Sequence, residues 1–168
     1  MKRRDEIRHL RRGADPGERP RRSGAVLSAA ITAADPAATI ERARSVLLAL
    51  LTAPHSWSAG RPPGNLPAWF IDACAPDPPD SSDDVDDRLK FREQPPSPEQ
   101  ARAESSAAWT LTGWLDWFEG ERYWFWWDAR GTAEHELVAE YVVYDWPAPM
   151  GSLIWLWTAS GATDVSLF

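Results

Sequence analysis

Cysteine is all but missing from this chain of 168 residues, and Cys74 stands alone. An intrachain disulfide is therefore excluded, and a lone Cys in an apolar stretch reads as a small core residue. Histidine is nearly as scarce, at three copies, His9, His55 and His135, each far from the others. One His without a neighbouring thiol does not make a zinc set. His135 stands between Glu134 and Glu136 at a strand entrance. Neighbours in a strand point apart, so this is no catalytic dyad. No nucleophile elbow, phosphate loop, dinucleotide fingerprint or HExxH pair occurs. The acidic run DSSDDVDD (80–87) lacks the central Gly and terminal Glu of a calcium loop and reads as solvated linker. No cofactor is expected. A run of 18 apolar residues is also missing, so no membrane-spanning helix is expected.

What the chain has in excess is tryptophan, with 11 copies, and a lopsided distribution of charge. The net charge is −7, yet residues 1–24 carry nine Lys/Arg against four Asp/Glu, which leaves −12 for residues 25–168. An acidic body repels nucleic acid and anionic lipid and steers basic partners toward itself. Only the basic head is suited to nucleic acid. Rich in Arg, Gly and Pro, residues 1–37 read as a disordered basic tail, or as translation from a start codon set too far upstream. Within it, GAVLSAAITAA (24–34) follows Arg21-Arg22 and faintly resembles an export signal. The run is short and four acids precede it, so a cytoplasmic location is expected.

Residues 38–168 are expected to form one α+β domain. ATIERARSVLLALLTA (38–53) has helical spacing and stops before Pro54. LPAWFIDACA (66–75) makes a short helix with Trp69, Phe70, Ala73 and Cys74 on one stripe. Residues 76–97 are acidic and rich in Pro and Ser, which predicts a mobile segment. A weak helix, DDVDDRLKFRE, falls inside it, and another helix starts from Ser97-Pro98 with Gln100. TLTGWLDWFEG (110–120) is a helix closed by Gly120. ERYWFWWDA (121–129) and ELVAEYVVYDW (136–146) are strands of a hairpin. LIWLWTAS is a helix capped by Gly161, and TDVSLF a final strand. A right-handed crossover would run that strand parallel to the second hairpin strand, giving a small mixed sheet packed on helices.

Bulky aromatics at five consecutive positions, Tyr123 to Trp127, cannot all face one way. Alternation sends Tyr123, Phe125 and Trp127 to one side, and Trp124 and Trp126 to the other with Arg122 and Asp128. Leaving either set bare exposes about 300–600 Å². The partner strand has one apolar face (Leu137, Ala139, Tyr141, Val143) and one mixed face (Glu136, Val138, Glu140, Val142, Tyr144). One side of the sheet is therefore expected sealed and the other half wet. Every Trp is core in the plainer reading. In the functional reading, Trp124, Trp126 and Tyr144, with Asp116, Glu119 and Asp128 around them, line a groove for a peptide, protein or sugar.

The blocks LPAWFIDAC, WLDWFEGERYWFWWD and DWPAPMGSLIWLWTASGA resemble a group of Trp-rich bacterial proteins with no assigned function. The resemblance spans residues 64–162 discontinuously. It implies that these blocks form one domain and that the first forty residues are dispensable, and it brings no site residue. The expected function is non-enzymatic binding of a basic protein partner, by analogy with acidic immunity-type or inhibitory proteins. The alternative is a carbohydrate or small-molecule binder or hydrolase, in which paired carboxylates such as Asp116, Glu119, Glu121 and Asp128 work beside a tryptophan groove.

Overall fold

The computed structural model describes residues 1–20, 24–53, 61–77, 108–119, 122–144 and 148–168. In chain order these form α1 (Arg3–Arg12), β1 (Ala25–Ala33), α2 (Pro36–Thr52), α3 (Ala68–Ala73), α4 (Leu111–Asp116), β2 (Trp124–Ala133), β3 (Glu136–Val143), α5 (Gly151–Ser160) and β4 (Ala162–Leu167). The fold is α+β. His55, Glu121, Gly120 and the helices expected within 83–93 and after Ser97 lie outside the described residues. So does the acidic segment 76–97 beyond Asp77.

The four strands are ordered β2-β3-β1-β4, and every neighbouring pair is antiparallel. The crossover through α5 brings β4 back in the same direction as β3, as expected, but β1 lies between them, so the sheet is antiparallel throughout and not the mixed sheet expected. Residues 1–37 are thus not a tail. Among the described residues, strand β1 is the only one flanked by two chain-distant strands, with Ala29 opposite both Ala139 and Leu167. Its inward positions Ala29, Ile31 and Ala33 are buried. Small residues there let helices approach the sheet closely. Residues 1–20 and 24–40 are part of the packed fold, contrary to what the resemblance implied.

α2 and α5 lie on one face of the sheet. Asp35 caps α2 by accepting from the Ala38 N–H at 3.0 Å, and Pro36 fills the first turn. Ala43, Val46, Leu47 and Leu50 are buried beneath it. α5 ends at Gly161, whose φ of 110° suits the left-handed cap. Trp157 of α5 stacks on Trp126 of β2, ring centroids 5.7 Å apart, and its N–H donates to the Tyr141 hydroxyl. α3 and α4 pack beyond α5. Phe70 meets Trp114 edge-on at 4.7 Å, and the Trp114 indole donates to the Ser152 carbonyl at 2.9 Å. Trp124 donates to the Ser152 hydroxyl at 3.1 Å, so these indoles carry their polar atom to a partner, whereas the buried Nε1 atoms of Trp126 and Trp155 have none.

α1 runs along the outer edge of β2 and against the end of α2. Arg3 donates to the carbonyls of Leu51 and Ala53 at 2.5 and 2.8 Å, closing the C-terminus of α2. Glu6 is fully buried and binds Arg122 through both oxygens, at 2.7 and 2.9 Å. One of those oxygens also accepts the Trp126 N–H at 2.9 Å. An outer strand presents unpaired backbone groups, and here a carboxylate from the first helix occupies one of them.

Candidate functional site

The register settles the orientation of the aromatic strand. Trp124 pairs with Val143 and Trp126 with Tyr141, both on the helix-covered face. The register then slips by one between Trp126 and Asp128, so Trp127 is an extra, bulged residue. Beyond the bulge the alternation is inverted. Asp128 pairs with Glu140, and Ala129 with Ala139, so Asp128 shares the face of Phe125 rather than that of Trp126. Strict alternation misplaced it for that reason. The bulge also re-aims Trp127, which is 7% exposed and meets the buried His9 ring edge-on at 4.4 Å.

Of the residues singled out from sequence, Trp124 and Trp126 are core, 4% and 0% exposed. Neither offers a ring to a ligand, and their candidate binding role is withdrawn. They are enclosed because α5, α4 and the turn after α4 supply Trp157, Trp114 and Phe118 to cover them. Tyr144 is half-buried, with its ring 5.8 Å from Phe125 and its hydroxyl accepting from the Met1 amino nitrogen at 2.5 Å. Asp128 is half-buried, and one of its oxygens accepts the Ala129 N–H at 2.8 Å. Glu119 lines an open cleft of about 350 Å³ walled by Leu50, Leu51, Phe118 and Phe125, with the Glu6–Arg122 pair at its base. Asp116 ends α4. The structure brings Tyr144 and Asp128 to the open face of the sheet, and leaves Asp116 and Glu119 on the α4 side.

That open face is the half-wet side the β3 pattern called for. Leu137, Ala139 and Tyr141 are buried beneath the helices; on the other face Glu136 is exposed and Val138, Glu140 and Tyr144 are half-buried, while Val142 is buried, 1% exposed. β1 and β4 contribute the rest. Val26 is 43% exposed opposite Val142, and Ser28 pairs with Glu140. Phe168 is 69% exposed and exchanges backbone hydrogen bonds with Ser28 at 2.9 and 3.1 Å. Asp164 stands opposite Thr32. The result is an apolar strip of Val26, Val138 and Phe168 set among Asp128, Glu136, Glu140 and Asp164. Arg130 is the cation of this face among the described strand residues, 3.4 Å from Glu140. Sequence reasoning missed Val26 and Phe168 because β1, the strand that brings them together, was not recognised.

Beside this face a polar knot holds the loop after α1. Arg8 binds Glu18 at 2.5 Å and Asp15 at 3.0 Å, and His9 Nε2 lies 3.2 Å from Glu18. Burial pushes the Glu18 carboxyl up. The hydrogen bonds from Arg8, the Asp15 N–H and His9 outweigh it and bring the pKa to about 2. Gly13 closes α1 at φ 76°, and a Cβ there would stand 2.9 Å from an Asp128 oxygen, so the loop needs glycine twice over. Burial raises the Cys74 thiol, with Trp155 acting in the opposite direction. Among the described residues, no three His, Cys, Asp or Glu side chains gather as a metal site, and no helix is long and apolar enough to cross a membrane. Comparison with known proteins finds no matching family model, curated protein or solved structure.

Proposed function

We propose that this chain is a non-enzymatic protein-interaction domain that takes a basic partner on the open face of its sheet. The observation that carries this is the pairing of exposed apolar side chains, Val26 at 43% and Phe168 at 69%, with four flanking carboxylates and one arginine on the same surface. Apolar contact supplies affinity when water leaves, and the carboxylates speed encounter and select the sign of the partner. The net charge of −7 of the whole chain, basic α1 included, acts in the same direction. Inhibitory and immunity-type proteins work in this way, by covering a cationic surface. The partner sits in the cytoplasm with this chain under the same proposal. The alternative, a sugar or small molecule in a tryptophan groove, has no support in the positions of Trp124 and Trp126, whose rings are enclosed.

The test is capture from the source cell with the wild-type chain and with a Glu136→Lys/Glu140→Lys variant. A single basic protein retained by the first and lost by the second is the expected result, with an association rate that falls as salt is raised. Recovery of nothing above background, or of a protein indifferent to both substitutions, overturns the reading.

A further inference from the structure

The two outer strands of the sheet are treated differently. β2 is guarded by α1, whose Glu6 takes the Trp126 N–H. Among the described residues, β4 has no such guard. Ser28 and Phe168 exchange both backbone hydrogen bonds, so in the antiparallel ladder Ser166 and Asp164 also turn their backbone groups toward β1. The N–H and C=O of Val165 and Leu167 therefore point outward, and among the described residues nothing pairs with them. Of the usual deterrents to edge pairing, β4 has a bulge at Thr163, where the register to β1 slips, but no Pro, no Lys and no inward-pointing charge.

The surroundings of this edge are uncharged to a degree that the rest of the chain is not. Charged residues make up 26% of the sequence, yet residues 148–168 contain only Asp164. α5, the helix beside β4, has none at all, and Ile154, Thr158 and Ala159 are at least partly exposed on it. A chain of net charge −7 repels its own copies, and residues 148–168 add little to that repulsion. Arg42 of α2, whose Nη1 would lie 3.8 Å from a Cβ on Gly161, places a cation beside the start of β4.

We infer that β4 is the site at which two copies of this chain join, antiparallel about a twofold axis through Val165. This register sets Val165 against its own counterpart and Thr163 against Leu167 of the second copy. Residues 164–166 pair regularly, so Asp164 stands opposite Ser166 rather than opposite another carboxylate, and the bulge at Thr163 lies at each end of the joint. The product is a continuous eight-stranded sheet with α5 meeting its counterpart on the covered face and the open face of each copy left free. The contact is isologous, so it closes at two copies instead of growing into a filament. It stands independently of the basic-partner reading, because it uses the edge of the sheet and not its open face.

Sedimentation equilibrium of the full chain, from low to high micromolar, tests it together with two variants. Val165→Pro removes an N–H that points away from β1, so the ladder within one copy keeps its bonds while addition of a second copy is blocked. Thr163→Lys places a charge at the joint. The wild type should approach twice the chain mass, and either variant should raise the dissociation constant at least about tenfold, or about 1.4 kcal/mol. Amides of Val165 and Leu167 should exchange slowly with solvent in the wild type and rapidly in Thr163→Lys. Circular dichroism identifies a variant that has merely unfolded, and the other variant then decides. A wild type that is monomeric at every concentration overturns the inference, and so does a dimer that both folded variants leave intact.

Discussion

Trp157 donates its indole N–H to the hydroxyl of Tyr141, and both side chains are wholly buried. Burial raises the Tyr141 phenol well above its ordinary pKa, with the Trp157 hydrogen bond opposing. The hydroxyl therefore stays neutral across the range in which proteins are handled, and its partner matters because water cannot replace it. Trp157→Phe orphans the hydroxyl and should lower the unfolding free energy by about 1–3 kcal/mol in urea titration. Tyr141→Phe orphans the indole N–H instead. The double variant should cost less than the two single losses combined, since neither orphan remains. Additive losses would show that packing, not the bond, carries the effect. Glu18 gives a residue-scale effect of a different kind. Its pKa of about 2 lies below the ordinary 4.5, so its contribution to stability is complete above pH 4.5 and is lost as pH falls toward 2. Amide exchange at Asp15 should quicken over that window, and in Glu18→Gln it should be fast at every pH.

At the scale of elements, α1 shows why part of the fold was legible and part was not. Helices α2 and α5 announce themselves through apolar spacing and through their ends, Asp35-Pro36 and Gly161. The hairpin does so through its β-branched and aromatic runs. α1 reads RRDEIRHLRR and buries Glu6, His9 and Leu10, two of which any hydropathy pattern assigns to water. Its anchor is an ion pair with a residue 116 positions away, which no local window contains. β1 escaped because alanine has little strand preference, and its small inward residues hide the alternation. The bulge at Trp127 was likewise invisible, since register exists only between two strands. Removing one partner of a buried ion pair leaves the other charge stranded. Glu6→Ala should therefore cost about 3–5 kcal/mol in chemical unfolding. It should also free the Trp126 amide to exchange, with α1 coming away from β2. A near-neutral effect would return residues 3–12 to the status of a tail.

For the whole molecule, the unequal faces of the sheet follow from how the aromatic residues are shared out. Trp114, Trp124, Trp126 and Trp157 interlock on the helix side, and the other face is left with valines, Phe125, Phe168, Tyr144, Arg130 and acids. The half-wet side was foreseeable from β3 alone. Its extent was not, because three of its contributors come from a strand and a chain end that the sequence did not place together.

The central position of β1 has a consequence for synthesis. It is made before either of its neighbours, yet it hydrogen-bonds to 136–143 on one side and to 162–167 on the other. A growing chain on the ribosome carries an unpaired strand of AVLSAAITA for more than a hundred residues before the first neighbour arrives. The second neighbour arrives only after α5. Closure of the sheet is thus a late and non-local event, slow by the standards of helical domains of this size. Until then the chain depends on chaperones, or on its own acidic charge, to keep that strand from pairing with a stranger.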